Sequence, residues 1–166
     1  VKAVEKEGGY MFLYLAQHGE AKKEEKDPAR GLTEKGAGDV RRAAAYCVRS
    51  GIALSRVFES GKTRATQTAG IFAGLLRPLH GVKKADGLSP MDDPKVWFDR
   101  VATVKEEVML VGHLPHLGRL ASLLVCGDSE KGVVNFKMGC IVCLRRSEEG
   151  RWAVEWMVIP ERCPDV

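Results

Sequence analysis

Three short segments place reactive side chains directly after apolar runs. Tyr14-Leu15-Ala16 leads into Gln17-His18-Gly19-Glu20, and Arg56–Glu59 leads into Ser60-Gly61-Lys62-Thr63-Arg64. Val108–Val111 leads into Gly112-His113-Leu114-Pro115-His116. Two imidazoles and a guanidinium suit the chemistry of a phosphoryl group. A neutral imidazole can attack phosphorus and hold it covalently. A guanidinium matches two phosphate oxygens at once. A second, protonated imidazole can neutralise the equatorial oxygens as charge spreads over them. Glycines 19, 61 and 112 stand beside these residues, where backbone turns or approaches a ligand closely. No GxxxxGK[ST] phosphate loop and no acidic cluster suited to Mg²⁺ accompanies the set. The expectation is a site with neither metal nor cofactor.

Residues this far apart in the chain need a scaffold that brings them to one edge. Tyr10–Ala16 and Val108–Val111 are nearly continuous apolar runs, as expected of strands covered on both faces. Thr33 can cap a helix running to about Ser50, with Ala37, Val40, Ala44, Cys47 and Val48 at helical spacing and Gly51 at its stop. A strand is expected over Arg56–Glu59. A helix follows over Lys62–Leu76, with Ala65, Ala69, Phe72 and Leu76 on one stripe. Val82–Ala85 reads as a short strand. Asp93-Pro94 opens a helix that turns Trp97, Val101 and Val104 inward. Pro115 starts another, with Leu117, Leu120, Ala121 and Leu124 on one face. Cys140–Arg146 and Arg151–Ile159 read as strands joined by Ser147-Glu148-Glu149-Gly150, and Trp152, Val154, Trp156 and Val158 alternate inward. The order implies an α/β three-layer sandwich, a mainly parallel sheet with helices on both faces and a C-terminal β-hairpin. Open α/β sheets bind ligands at the carboxyl ends of their strands, where all three segments fall.

The chain has 166 residues, 45% hydrophobic and 29% charged, which fits a single globular domain over 11–166. Residues 1–10 are expected to form a loose extension; they are too polar for a signal peptide. No apolar run approaches the roughly 20 residues of a membrane span, and a cytoplasmic protein is expected. A net charge of +4, without a long Lys/Arg block, argues against nucleic-acid binding and suits an anionic substrate. The five cysteines are odd in number and irregularly spaced. Cys140 and Cys143, three apart on a strand, point to opposite faces. All five read as reduced thiols.

Four segments, LAQHGEA, DPARGLTEKG, ESGKTRATQT and VGHLP, resemble in this order the histidine phosphatase superfamily. The short chain and the D-x-x-R-x-L-T-x-x-G segment look most like its small SixA-type phosphohistidine phosphatases. The resemblance implies a phosphoglycerate-mutase-like fold. It implies His18 as the nucleophile that becomes phosphorylated, Arg64 and His113 on the phosphoryl group, and Arg30 at the pocket rim. Glu20 occupies a position where relatives often carry an acid. Glu20 as an acid or a helix cap, and His116 as a rim contact or a merely exposed residue, both stay open.

Two departures stand out. The family's Arg-His-Gly is Gln17-His18-Gly19 here, and its Ser-Pro is Ser60-Gly61. Gly61 is expected to change only loop stiffness. Gln17 removes a positive charge from the phosphate pocket but keeps two donors. A charge-assisted hydrogen bond contributes roughly 1.5–3 kcal/mol against about 1 for a neutral one, so weaker phosphate binding is expected, with Arg30 or Lys62 compensating in part. The function implied is dephosphorylation of phosphohistidine on a partner protein, through phospho-His18. The alternatives are a phosphate-binding pseudophosphatase and a small-molecule phosphomonoesterase.

Overall fold

A computed structural model of the protein describes residues 9–164. Its strands are β1 (Met11–Gln17), β2 (Arg56–Glu59), β3 (Val82–Lys84), β4 (Val108–Gly112), β5 (Ile141–Arg146) and β6 (Trp152–Val158). Its helices are α1 (Glu34–Arg49), α2 (Thr63–Leu76), α3 (Lys95–Thr103) and α4 (His116–Cys126), and a 3₁₀ turn spans Pro160–Arg162. The sheet order is β3-β2-β4-β1-β5-β6. β3, β2, β4 and β1 are mutually parallel, and β5 runs antiparallel to β1 and to β6.

Side-chain alternation along the strands builds two cores. Leu13, Leu15, Leu110, Val142 and Leu144 meet Trp97 and Val101 of α3 and Leu117, Leu120 and Leu124 of α4. Tyr14, Ala16, Met109, Val111 and Cys143 meet Val40, Ala43, Ala44 and Cys47 of α1 and Ala65, Ala69 and Phe72 of α2. This is the expected α/β sandwich, with helices on both faces of a mostly parallel sheet. Cys140 and Cys143 do fall in opposite cores, and all five cysteines are free.

Local signals end the elements close to where the sequence places them. Thr33 accepts the Gly36 N–H at 2.9 Å, and Gly51 takes φ +72° after α1. The Asp93 carboxylate accepts the Lys95 N–H at 2.9 Å at the start of α3. Two packing expectations change. Val48 is exposed, since Ala43 and Ala44 already fill the stripe of α1. Trp152 and Trp156 do not share a face: Trp152 packs on the α3/α4 side and Trp156 on the α1/α2 side. The cause is a bulge. Cys143 pairs with Trp156 but Leu144 pairs with Val154, which leaves Glu155 as an extra residue and exposes Val154. Of the expected N-terminal extension, residues 1–8 lie outside the described residues. The Gly9 N–H donates to Glu148 at 3.0 Å, and the Arg145 guanidinium stacks 4.6 Å from the Tyr10 ring.

Candidate functional site

The site lies at the carboxyl ends of β1, β2 and β4. His18 leaves β1 with its backbone fixed on both sides: its N–H donates to the Gly112 carbonyl at 3.1 Å, and its carbonyl accepts from Gly139 at 3.0 Å. Gly19 follows because α1 passes close by; a Cβ there would stand 2.8 Å from the Gly36 carbonyl oxygen. The Gly19 N–H donates to Thr68 Oγ1 at 3.1 Å, and Thr68 donates to the Arg64 carbonyl at 2.7 Å. Thr68 thereby ties the end of β1 to the turn of α2 that carries Arg64.

The His18 ring has a defined tautomer. Nδ1 lies 2.7 Å from the Gly19 carbonyl oxygen, which can only accept, so Nδ1 holds the proton. Nε2 keeps its lone pair, and Arg64 Nε–H points at it from 3.3 Å. The His113 ring stands 4.9 Å away, centroid to centroid, tilted by 52°. His113 Nε2 is 2.6 Å from Ser60 Oγ. Burial holds both imidazoles below their ordinary pKa. For His18 the Arg64 and Arg30 charges add to this, while the Gly19 bond opposes it. For His113, burial and the charges of His18, Arg64, Lys62 and His116 bring the value down to about 3. Arg64 is also lowered, by burial and by Arg30.

His18, Arg64 and His113, expected to meet, therefore meet. Gln17 is adjacent and buried, 5% exposed, and its Oε1 has no hydrogen-bond partner among the described residues. Arg30 sits at φ +52° on a loop that Asp27 holds by accepting from Ala29 and Gly31 at 3.1 and 2.9 Å. It lines a polar cavity of about 330 Å³ together with Glu24, Lys62 and Arg64. Glu20 accepts from the Thr33 hydroxyl at 2.8 Å, at the N-terminus of α1. His116, expected at the rim or exposed, is fully buried, with no partner for either ring nitrogen among the described residues. Burial holds its pKa below the ordinary value, and the charges of Asp92 and Asp93, on the segment between β3 and α3, oppose this. Leu88 of the same segment is fully buried, and its carbonyl oxygen lies 3.5 Å from where a Cβ on Gly112 would stand. A larger apolar cavity of about 640 Å³, lined by Tyr14, Tyr46 and Trp156, contains none of these residues.

The loop after β2 differs from its expected form. Gly61 takes φ +84°, and its N–H donates to Glu59 at 2.6 Å. Proline offers neither that φ nor an N–H, so glycine here changes the path of the loop as well as its stiffness. Glu59, 4% exposed, also accepts from Thr66 at 2.8 Å. Glu59, Ser60 and Thr68 thus support the site. Glu59 had a visible signal, a carboxylate closing an apolar strand, and Thr68 lies one helical turn from Arg64. Ser60 became legible only through its contact with His113.

Among the described residues, no three His, Cys, Asp or Glu side chains come together as a metal site, and no helix is long and apolar enough to cross a membrane. No protein-family model and no curated protein sequence matches the chain. Solved structures do resemble it. The protein histidine phosphatase SixA complexed with tungstate superposes with a TM-score of 0.81 at 23% identity, over 90% of this chain and 97% of that one. A mycobacterial glucosyl-3-phosphoglycerate phosphatase gives 0.70 at 14%, over 87% and 96%. A phosphoglycerate mutase from Bacillus anthracis gives 0.68 at 12%, over 89% and 92%. The fold is phosphoglycerate-mutase-like.

Proposed function

We propose that the chain is a SixA-type phosphohistidine phosphatase, acting on a phosphoprotein without metal or cofactor. His18 Nε2 attacks phosphorus and the P–N bond to the substrate imidazole breaks; that ring, already protonated on its other nitrogen, takes the bond's electron pair and departs as neutral imidazole. Water then attacks phospho-His18, inorganic phosphate leaves, and His18 is restored. The observation that carries this reading is the His18 tautomer: Nδ1–H is bound to Gly19, and the free Nε2 faces Arg64 at 3.3 Å. Arg64 can bind two phosphoryl oxygens. A phosphoryl dianion beside His113 opposes the positive charges that depress its pKa, and so favours the protonated ring that stabilises the transition state. The likeness to SixA supports a protein substrate.

The test is to incubate the protein with a phosphohistidine peptide, quench in base and look for an acid-labile phosphoprotein. His18→Ala should lose the label and the turnover. Label on another residue, or unchanged turnover in the variant, overturns the mechanism.

A second reading is favoured by one observation. Gln17 carries no charge, and its carbonyl oxygen is buried without a partner. In this reading the chain binds the phosphoryl group and does not turn it over.

A further inference from the structure

Resting on the phosphoprotein reading, we propose that Lys84 is a specificity residue, drawing an acidic segment of the partner protein to the rim of this site. Lys84 ends β3, the edge strand next to β2, and pairs in register with Glu59. Its side chain does not run straight out to solvent. It lies across Gly61: a Cβ on that glycine would stand 2.3 Å from Lys84 Cε and 3.0 Å from Nζ. The absence of a side chain at position 61 is what gives the lysine this path. Gly61 itself lines the polar cavity with Arg30, Lys62 and Arg64.

Charge gives the rim its sign. Among the described residues, Arg30, Lys62 and Lys84 enter no ion pair. Glu24 is the single carboxylate lining the cavity. Glu59, the nearest acid to Lys84 in register, already accepts from Gly61 and Thr66. Lysines on edge strands also discourage sheet-to-sheet pairing, and Lys83 on the same strand fits that role. A lysine folded over the neighbouring loop does not serve it. An exposed set of cations beside the proposed phosphoryl pocket, unmatched among the described residues, complements carboxylates flanking the phosphorylated residue of a protein.

The test uses the full chain and labelled peptides bearing a stable phosphonate analogue of phosphohistidine, flanked by Asp/Glu or by Lys. Fluorescence anisotropy should show the acidic peptide binding about three- to tenfold tighter at low salt, as expected for a few exposed charge pairs. The gap should close toward 0.5 M salt, as screening shortens the reach of the charges to within about 5 Å. Lys84→Glu should erase or invert the preference, and Lys84→Met, which keeps the stem, should reduce it. Neither variant should alter hydrolysis of a small phosphoramidate. Equal affinity for the two peptides, or a preference that survives Lys84→Glu, overturns the proposal. Wild-type hydrolysis of the small phosphoramidate tests the underlying reading separately. A protein that fails there yet still prefers the acidic peptide through Lys84 keeps the rim and loses the phosphatase.

Discussion

Gln17 presents a carboxamide beside His18, the proposed nucleophile, at a position where the family that the sequence resembles carries a guanidinium. Its Oε1 is buried and unpartnered, a condition that costs about 1–3 kcal/mol when it persists. An amide nitrogen can donate to a phosphoryl oxygen, but only as a neutral group. Gln17→Arg should therefore raise kcat/KM on a phosphohistidine peptide, by a few kcal/mol at most, because in the proposed mechanism Arg64 binds the same anion and such contributions do not add independently. Measurable wild-type turnover with a modest gain supports the phosphatase. Turnover appearing only in the variant, with binding already present in wild type, supports the non-catalytic reading. Loss of activity on introducing arginine would mean that the carboxamide has a task of its own. At this scale the sequence carried much. His18, Arg64 and His113 were readable because each follows an apolar strand. The proton on His18 Nδ1, the contact of Ser60 with His113 and the burial of His116 were not, because each depends on a neighbour from a distant segment.

The turn between β2 and α2 is a local lock built differently from the Ser-Pro of the family that the sequence resembles. Glu59 accepts from Gly61 and from Thr66, closing the loop onto the first turns of α2. Ser60, held in the middle, meets His113. Gly61→Pro, which introduces the residue found in the family that the sequence resembles, should harm this protein. It removes the N–H that Glu59 binds, and the ring cannot adopt φ +84°. We expect a loss of about 2–4 kcal/mol in urea unfolding, as for a residue forced into an incompatible backbone conformation. The proposed phosphatase activity should fall with it as Ser60 leaves His113. Unchanged stability and activity would show that the loop is set by other contacts. Elements as such were legible, since caps, stops and periodicity are local properties. The bulge at Glu155 was not: alternation along β6 looks regular in sequence and is broken only by pairing with β5. The path of Lys84 over Gly61 likewise needs the β2–β3 register.

The whole molecule gathers three buried histidines, His18, His113 and His116, at one end of a sheet packed between two helical layers. Sequence periodicity implied the layers, but which helix pair covers which face is set by the crossovers. Burial is the leading cause that holds all three imidazoles below their ordinary pKa. That makes stability depend on pH with a definite sign. In the unfolded chain a histidine takes up a proton below about pH 6.5, while in the fold His113 does so only near 3. Between those values the unfolded state binds more protons, so stability rises with pH. It is fully present above about 6.5, declines as the pH falls, and levels off once the folded-state pKa is passed. The slope is about 1.4 kcal/mol per pH unit for each histidine kept neutral. From pH 7.5 to 5.0, His113 alone should remove about 2 kcal/mol, and His18 and His116 should add to that in the same direction. Urea unfolding at the two pH values checks it. His113→Asn, which keeps a hydrogen-bonding group near Ser60 but cannot titrate, should show a shallower loss than wild type. A wild-type stability that stayed level or rose on acidification would mean that the imidazoles take up protons within the fold, and that their burial is offset by partners gained on charging.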